Sequence, residues 1–194
     1  ICHAATRAPS GSNRQPFRLL VLRDSDVARE AKALVARAAQ DVWAAKRASD
    51  GYDSGSGRTR GSAKARMAAS MDAYVVGLAA VPVMVLPSLV RYRAPDPTEG
   101  ASVYPACQNL LLAARAIGLG GELTQWHRLV ETELCQQLGV PDGTTIAATI
   151  TLGRPVGGHG PVRRRPMGEL VFEDQWGAAP PWAVDPPGTR FTQA

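Results

Sequence analysis

Arg7-Ala8-Pro9-Ser10-Gly11-Ser12-Asn13-Arg14-Gln15-Pro16-Phe17 decides how this chain is read. The stretch leaves a helix-like segment, turns sharply, and enters the apolar run Arg18-Leu19-Leu20-Val21-Leu22. It packs a small hydroxyl, two amide side chains and two prolines into one short loop. Amide side chains both donate and accept hydrogen bonds. Prolines fix φ, so the polar groups of such a loop lose less entropy on binding. Pro-Ser-Gly-Ser alone is an ordinary turn composition. The longer pattern P-S-x-x-N-x-Q-P-aromatic, placed directly before a strand, is more specific.

The rest of the composition narrows the function class. A length of 194 residues fits one domain with one core, and 45% apolar content is ordinary for a globular protein. No stretch approaches the roughly 20 apolar residues of a membrane span. The longest candidate, residues 75–86, is cut by Gly77 and Pro82. The net charge of +5 is carried mostly by arginine, scattered apart from Arg163-Arg164-Arg165. A nucleic-acid binder would show a basic stripe with interleaved aromatics, and none is present. One arginine cluster suits a small anionic ligand such as a phosphate better. Cys2, Cys107 and Cys135 are far apart and form no C-x-x-C, which points to reduced thiols and a cytoplasmic setting. His3, His127 and His159 are equally dispersed, without metal-ligand spacing, and read as surface or helix-end residues. No G-x-S-x-G elbow and no catalytic dyad stand out.

The loop is expected to follow the last turns of a helix and to precede a strand at 17–22. Asp24-Ser25-Asp26 supplies N-cap candidates for a helix carrying Val27, Ala31, Leu34, Val35, Ala38 and Val42. Residues 49–62, with four glycines, read as a mobile surface loop that could serve as a lid. A helix over 63–77 and a buried strand over 81–86 follow, then a proline-rich connector over 87–100. Residues 102–117 form the clearest helix, capped by Ser102 and ended by Gly118. The Gly118-x-Gly120 pattern follows a helix, not a strand, which excludes a dinucleotide fingerprint. Another amphipathic helix spans 126–138, and a strand spans 144–152. A last strand is expected near 169–172. The Pro-rich tail has no periodicity and should lie over another surface, such as a partner subunit.

Four separated segments resemble, in order, the FMN-dependent nitroreductase family. They are P-S-G-S-N-R-Q-P-F (9–17), P-A-C-Q-N-L-L-L-A-A-R-A-I-G-L-G (105–120), L-G-V-P (138–141) before I-A-A-T-I-T-L-G-R-P (146–155), and R-R-R-P-M-G-E-L-V (163–171) before W-G (176–177). The resemblance implies an α+β fold, with a central mostly antiparallel sheet flanked by helices, assembled as an intertwined homodimer. It implies a flavin-binding domain over residues 1–177 and a tail over 178–194 packed on the partner subunit. FMN would lie at the dimer interface, touched by both subunits. Ser10, Asn13 and Gln15 match the loop residues that reach the flavin, and Pro105 is counted with them. The backbone at Gly120, Gly121 and Glu122 would pass near the reactive N5. Arg163 and Arg165 match the basic pair near the phosphate, which guanidinium forks suit. An R-R-S-x-R segment usual in the family's first helices is not found in residues 1–194. Residue 1 is Ile, so the chain is expected to begin inside a longer product; that segment would then lie upstream, whereas in a complete chain without it FMN binding should be weak.

The implied activity is ping-pong reduction of a nitro compound, quinone or similar small acceptor by NADH or NADPH through FMN. The hard chemistry then belongs to the cofactor, and no side-chain nucleophile is needed. Two alternatives stay open. One is a relative with other redox chemistry, such as dehalogenation or flavin destruction. The other is a flavin-sequestering protein without turnover.

Overall fold

The computed structural model describes residues 1–157 and 162–192, so His159 lies outside the described residues. The chain divides into two units, Ile1–Arg154 and Pro155–Ala194.

In the first unit, helix α1 (Cys2–Ala5) leads through the loop into strand β1 (Phe17–Leu22). Helix α2 (Asp26–Ser49) follows, and Ser25 caps it by accepting a hydrogen bond from the Ala28 amide. Its buried stripe runs through Ala28, Ala31, Leu34, Val35, Ala38 and Trp43, whereas Val27 is half exposed. Ala31, Leu34, Val35 and Ala38 are buried as the spacing predicts, and only at the two ends do Ala28 and Trp43 take the places expected of Val27 and Val42. Lys32 is also buried in it. Its ammonium donates to the Arg23 carbonyl at 2.6 Å and the Val81 carbonyl at 2.9 Å, which satisfies a charge that would otherwise be costly to bury.

Residues 49–62 include a short 3-10 turn at Gly55–Arg58. Their first part is tied down: Tyr52 packs on Trp43, with ring centres 5.2 Å apart, and Arg47 pairs with both Asp53 and Asp72. Helix α3 (Ala63–Gly77) is capped by Ser62 and leads to strand β2 (Val83–Val90). Helix α4 (Tyr104–Ala116), strand β3 (Gly120–Thr124), helix α5 (Glu131–Leu138) and strands β4 (Thr144–Ile146) and β5 (Thr149–Gly153) complete the unit.

The five strands form one antiparallel sheet in the order β1-β2-β5-β3, with β4 also on β2. Helices cover both faces. One face packs Met84, Leu86 and Ile146 against α2, α3 and α5. The other packs Val85, Leu89, Ile150 and Leu152 against α1 and α4. This is the α+β arrangement the motifs imply.

The sheet departs from the sequence expectation in several places. Strand β2 does not stop before Pro87 but runs through it to Val90. Proline has no N–H for the ladder, so a central strand tolerates it only at an irregularity. The partner strand supplies one. Val85 pairs with Ile150, but Ser88 pairs with Ile146, so residues 147–149 hold one residue too many. The Pro87 carbonyl accepts from both the Ala147 amide (2.7 Å) and the Ala148 amide (3.4 Å), closing a β-bulge. The expected single strand at 144–152 is split there. Ile146 and Ile150, four residues apart, consequently face opposite layers of the core. In addition, β3 is a strand where only a glycine turn was legible.

Helix α5 is preceded by a 3-10 segment, Trp126–Val130, that buries His127 completely. The expectation of a surface or helix-end histidine is corrected. The His127 Nε2–H donates to the Ile146 carbonyl at 2.9 Å, and Nδ1 accepts from the Thr149 hydroxyl at 3.0 Å. The ring braces the bulge from both sides.

In the second unit, the expected strand near 169–172 is instead a 3-10 turn, Met167–Glu169, followed by irregular chain. The tail folds back on it. The Met167 amide donates to Asp185, Trp182 Nε1–H to Glu173, and the Thr192 amide to the Arg164 carbonyl.

Candidate functional site

The loop before β1 is built from backbone that most residues avoid. Ser12, Asn13 and Gln15 have φ of 53°, 51° and 49°, in the left-handed region. Non-glycine residues held there each cost roughly 1–3 kcal/mol and persist only where surroundings enforce them. The surroundings here are specific. The Ser10 hydroxyl accepts from the Gln15 amide at 2.8 Å, and the Asn13 amide donates to the Ser10 carbonyl at 2.9 Å. Gln15 Nε2–H donates to Asn13 Oδ1 at 3.2 Å. Arg18 donates to the Gln15 and Phe17 carbonyls, and the Val90 amide to the Pro16 carbonyl. Ser10, Asn13 and Gln15 are thus brought together, as expected.

Ser102 does not cap α4. Val103 stands at the N-cap without a side-chain bond, and the Ser102 hydroxyl accepts from the Gly11 amide at 3.1 Å. This bond ties the loop to the entrance of α4, where Pro105 occupies the first turn. Further along α4, Asn109 Nδ2–H donates to the Ala4 carbonyl at 3.2 Å and fixes the helix that feeds the loop.

The bonds within the loop leave a defined set of groups unused. The Ser10 O–H, the Asn13 side-chain Nδ2–H groups and the Gln15 side-chain oxygen Oε1 remain available. Such a mix of donors and an acceptor suits the edge of a flat heterocycle that carries carbonyls and a ring N–H.

Gly120, Gly121 and Glu122 are elsewhere. They belong to the edge strand β3, and Gly121 pairs with Leu152, which pairs with Val83. The loop enters at Phe17, which pairs with Leu89 on β2. The two segments occupy opposite edges and opposite ends of the sheet, roughly 25 Å apart by strand spacing and rise. One protomer does not bring them together. A Cβ on Gly121 would meet Leu111 Cδ2 at 2.7 Å, Leu152 Cδ2 at 2.9 Å and the Thr151 carbonyl at 3.1 Å. Close packing of α4 on the sheet therefore already favours glycine at this position, since any side chain would have to displace the two leucine ends and crowd the Thr151 carbonyl. Glu122 points to the other face, where the Tyr74 hydroxyl meets Thr151 Oγ1 at 2.8 Å. Desolvation raises the Glu122 carboxyl, although the residue is solvent-exposed, and burial raises the Tyr74 phenol.

Arg163 and Arg165 lie in the second unit and are exposed. Arg165 is 4.0 Å from Glu169, and Arg163 has no acidic partner among the described residues. Arg164 is engaged differently: its carbonyl binds the Thr192 amide, and its guanidinium donates to the Arg163 carbonyl at 2.8 Å.

Two cavities open near the end of β2. The larger, about 550 Å³, is lined by Arg91, Glu99, Tyr104, Gln125, His127 and Ala147, among others. The Gln125 amide donates to the Tyr104 hydroxyl at 3.0 Å, and Tyr104 in turn to the Ala147 carbonyl at 3.3 Å. The smaller, about 210 Å³, lies directly beside the loop, between Gly11, Pro16, Leu89, Tyr92 and Ser102. Sequence reasoning missed Arg91, Tyr92, Glu99, Tyr104 and Gln125, which sit in a connector and at helix ends, where periodicity carries no signal.

The nitroreductase family model matches residues 1–154. The FMN- and NADPH-dependent nitroreductase NfnB from Sphigopyxis sp. strain HMH is 20% identical, with a TM-score of 0.63 over 90% of this chain and 87% of that one. The BluB-like flavoprotein from Clostridium difficile 630 is 18% identical, with a TM-score of 0.59 over 90% and 86%. The NADPH:FMN oxidoreductase from Vibrio harveyi, complexed with NAD+, is 20% identical, with a TM-score of 0.61 over 90% of this chain and 66% of that one. At these identities the structural likeness is one of fold, whereas the match of the family model is to the sequence itself. Spanning the loop, the α4 segment and all five strands, that match places the chain in the nitroreductase family.

Proposed function

We propose that this protein is an FMN-dependent oxidoreductase in which NADH or NADPH reduces a small acceptor such as a nitro compound or quinone. The observation that carries the proposal is the loop at 9–17. Three strained residues and a closed set of hydrogen bonds hold Ser10, Asn13 and Gln15 in one arrangement, with donors and an acceptor left unused. Bound FMN would supply the transfer of electrons between donor and acceptor. The chain's part is to hold and orient it. Ser10, Asn13 and Gln15 would bond the ring's polar edge, Pro105 would border it, and Arg163 and Arg165 would grip the phosphate.

The second part of the proposal is that two copies share each site. The loop at one corner of the sheet and Gly120, Gly121 and Glu122 at the opposite corner are too far apart to flank one ring system. A second protomer that brings its own corner alongside removes that separation. Exposed backbone on the edge strand β3 is consistent with a ligand or partner lying along it.

The test is an absorbance spectrum of the protein after incubation with FMN and gel filtration, recorded before and after NADH or NADPH. Retained flavin that bleaches with either donor is the expected result. Absence of any flavin band overturns the proposal, and flavin that stays oxidised overturns its catalytic half.

A further inference from the structure

The smaller cavity beside the loop has a character of its own. Its floor is apolar, formed by Pro16, Leu89 and Val90, and its rim carries Tyr92 and Arg93. Arg14, from the loop, lies with its guanidinium carbon 4.5 Å from the centre of the Tyr92 ring, and that of Arg93 lies 5.6 Å from it. Their neighbour Arg91 is occupied: it makes three hydrogen bonds to the Glu99 carboxylate at 2.6, 3.0 and 3.3 Å. Arg93 is held more loosely: it makes an exposed ion pair with Asp96 at 3.8 Å, beyond hydrogen-bond distance, and Asp96 also accepts hydrogen bonds from the Thr98 amide and hydroxyl. Arg14 has no acidic partner among the described residues.

An arginine stacked on an aromatic face keeps its in-plane N–H groups for other partners. Arg93 on the rim and Arg14, which reaches the same Tyr92 ring from the loop, can together take a phosphate through charge-assisted hydrogen bonds. At about 210 Å³ the cavity has room for a single base or sugar, not for a whole dinucleotide. A neutral nitro compound or quinone would gain nothing from these charges. Of the two hydride donors, one carries an additional phosphate on its adenosine, and that is the chemical difference such a rim can read.

This inference rests on the reading above, that a nicotinamide dinucleotide is the electron donor. We infer that the cavity takes the base or the ribose at the adenosine end of that donor, and that Arg14 and Arg93, set around Tyr92, bind its extra phosphate and so select NADPH over NADH. The oxidised forms, NADP+ and NAD+, serve as non-reacting probes in calorimetric titrations of the protein with and without FMN. NADP+ should bind at least about tenfold more tightly than NAD+, the worth of one charge-assisted contact. The double variant Arg14→Gln/Arg93→Gln should lose that preference while binding NAD+ as before. The Lys pair at the same positions, Arg14→Lys/Arg93→Lys, should retain part of it and report on folding. Equal affinities in the parent protein, or an undiminished preference in the Gln variant, overturn the inference. So does equally tight binding of inorganic phosphate, which would mark a bare anion site. Discrimination without flavin retention would sink the FMN reading alone, and flavin reduction without discrimination would sink this inference alone.

Discussion

The Ser102 hydroxyl accepts a hydrogen bond from the Gly11 amide at 3.1 Å, joining residues 91 positions apart. Serine before a helix normally caps that helix. Here it leaves α4 to begin without a side-chain cap and holds the candidate ligand loop instead.

Replacing it separates these roles. Ser102→Ala removes a neutral hydrogen bond worth roughly 0.5–1.5 kcal/mol. If the bond presets the loop, flavin affinity should fall about three- to tenfold by fluorescence titration, with little change in α4 helicity by circular dichroism. Loss of helix with unchanged affinity would return Ser102 to an ordinary cap.

Asn13 tests strain against recognition. At φ 51° it tolerates glycine, which relieves strain but adds flexibility, so Asn13→Gly should stay within about 1 kcal/mol of the parent in urea denaturation. It also deletes the acceptor for Gln15 Nε2, and flavin retention should drop. Asn13→Val, β-branched at the same φ, should cost about 1–3 kcal/mol.

Gly121 is constrained by its own protein. An alanine methyl there would press on Leu111, Leu152 and the Thr151 carbonyl, one of which is rigid backbone. Gly121→Ala should destabilise the fold by about 1–3 kcal/mol in denaturant midpoints, whether or not flavin is present. A neutral effect on stability with lost flavin binding would show instead that a ligand, not packing, demands glycine.

His127 should make stability depend on pH. Burial lowers its pKa from 6.5, so the folded state prefers the neutral ring. The bonds to Ile146 and Thr149 fit that neutral form. The unfolded chain binds the proton more readily. The stability is therefore complete above the unfolded value and lost as pH falls toward the lower folded value. The urea midpoint should decline from about pH 7 downward, and His127→Gln should flatten that part of the profile. A parallel decline in the variant would assign the effect to other groups.

Much of this fold was legible before any coordinates. Periodicity and caps placed β1, α3 and α4 to within a residue or two, because each is bounded by Ser, Gly or Pro that acts locally. The loop residues 10, 13 and 15 stood out because the pattern P-S-x-x-N-x-Q-P-aromatic directly before a strand resembles a family motif. Other features depended on contacts distant in sequence. Nothing local distinguishes Trp43 or Lys32 as buried, since both rely on partners from other elements. Pro87 reads as a strand terminator, and only the surplus residue across the sheet makes it acceptable. The split of the candidate site between opposite corners of the sheet is a matter of strand order, which no motif encodes.

The bulge opposite Pro87 also limits how the chain can vary in length. Surface loops such as residues 49–62 can absorb an inserted or deleted residue at their tips. Removing Ala147 or Ala148 would instead put Thr144, Thr145 and Ile146 out of phase with everything after them. Ile146 would turn away from the layer beneath α2, and His127 would lose the carbonyl it bonds. Two small, unremarkable alanines thus keep the count by which both layers of the core remain in step.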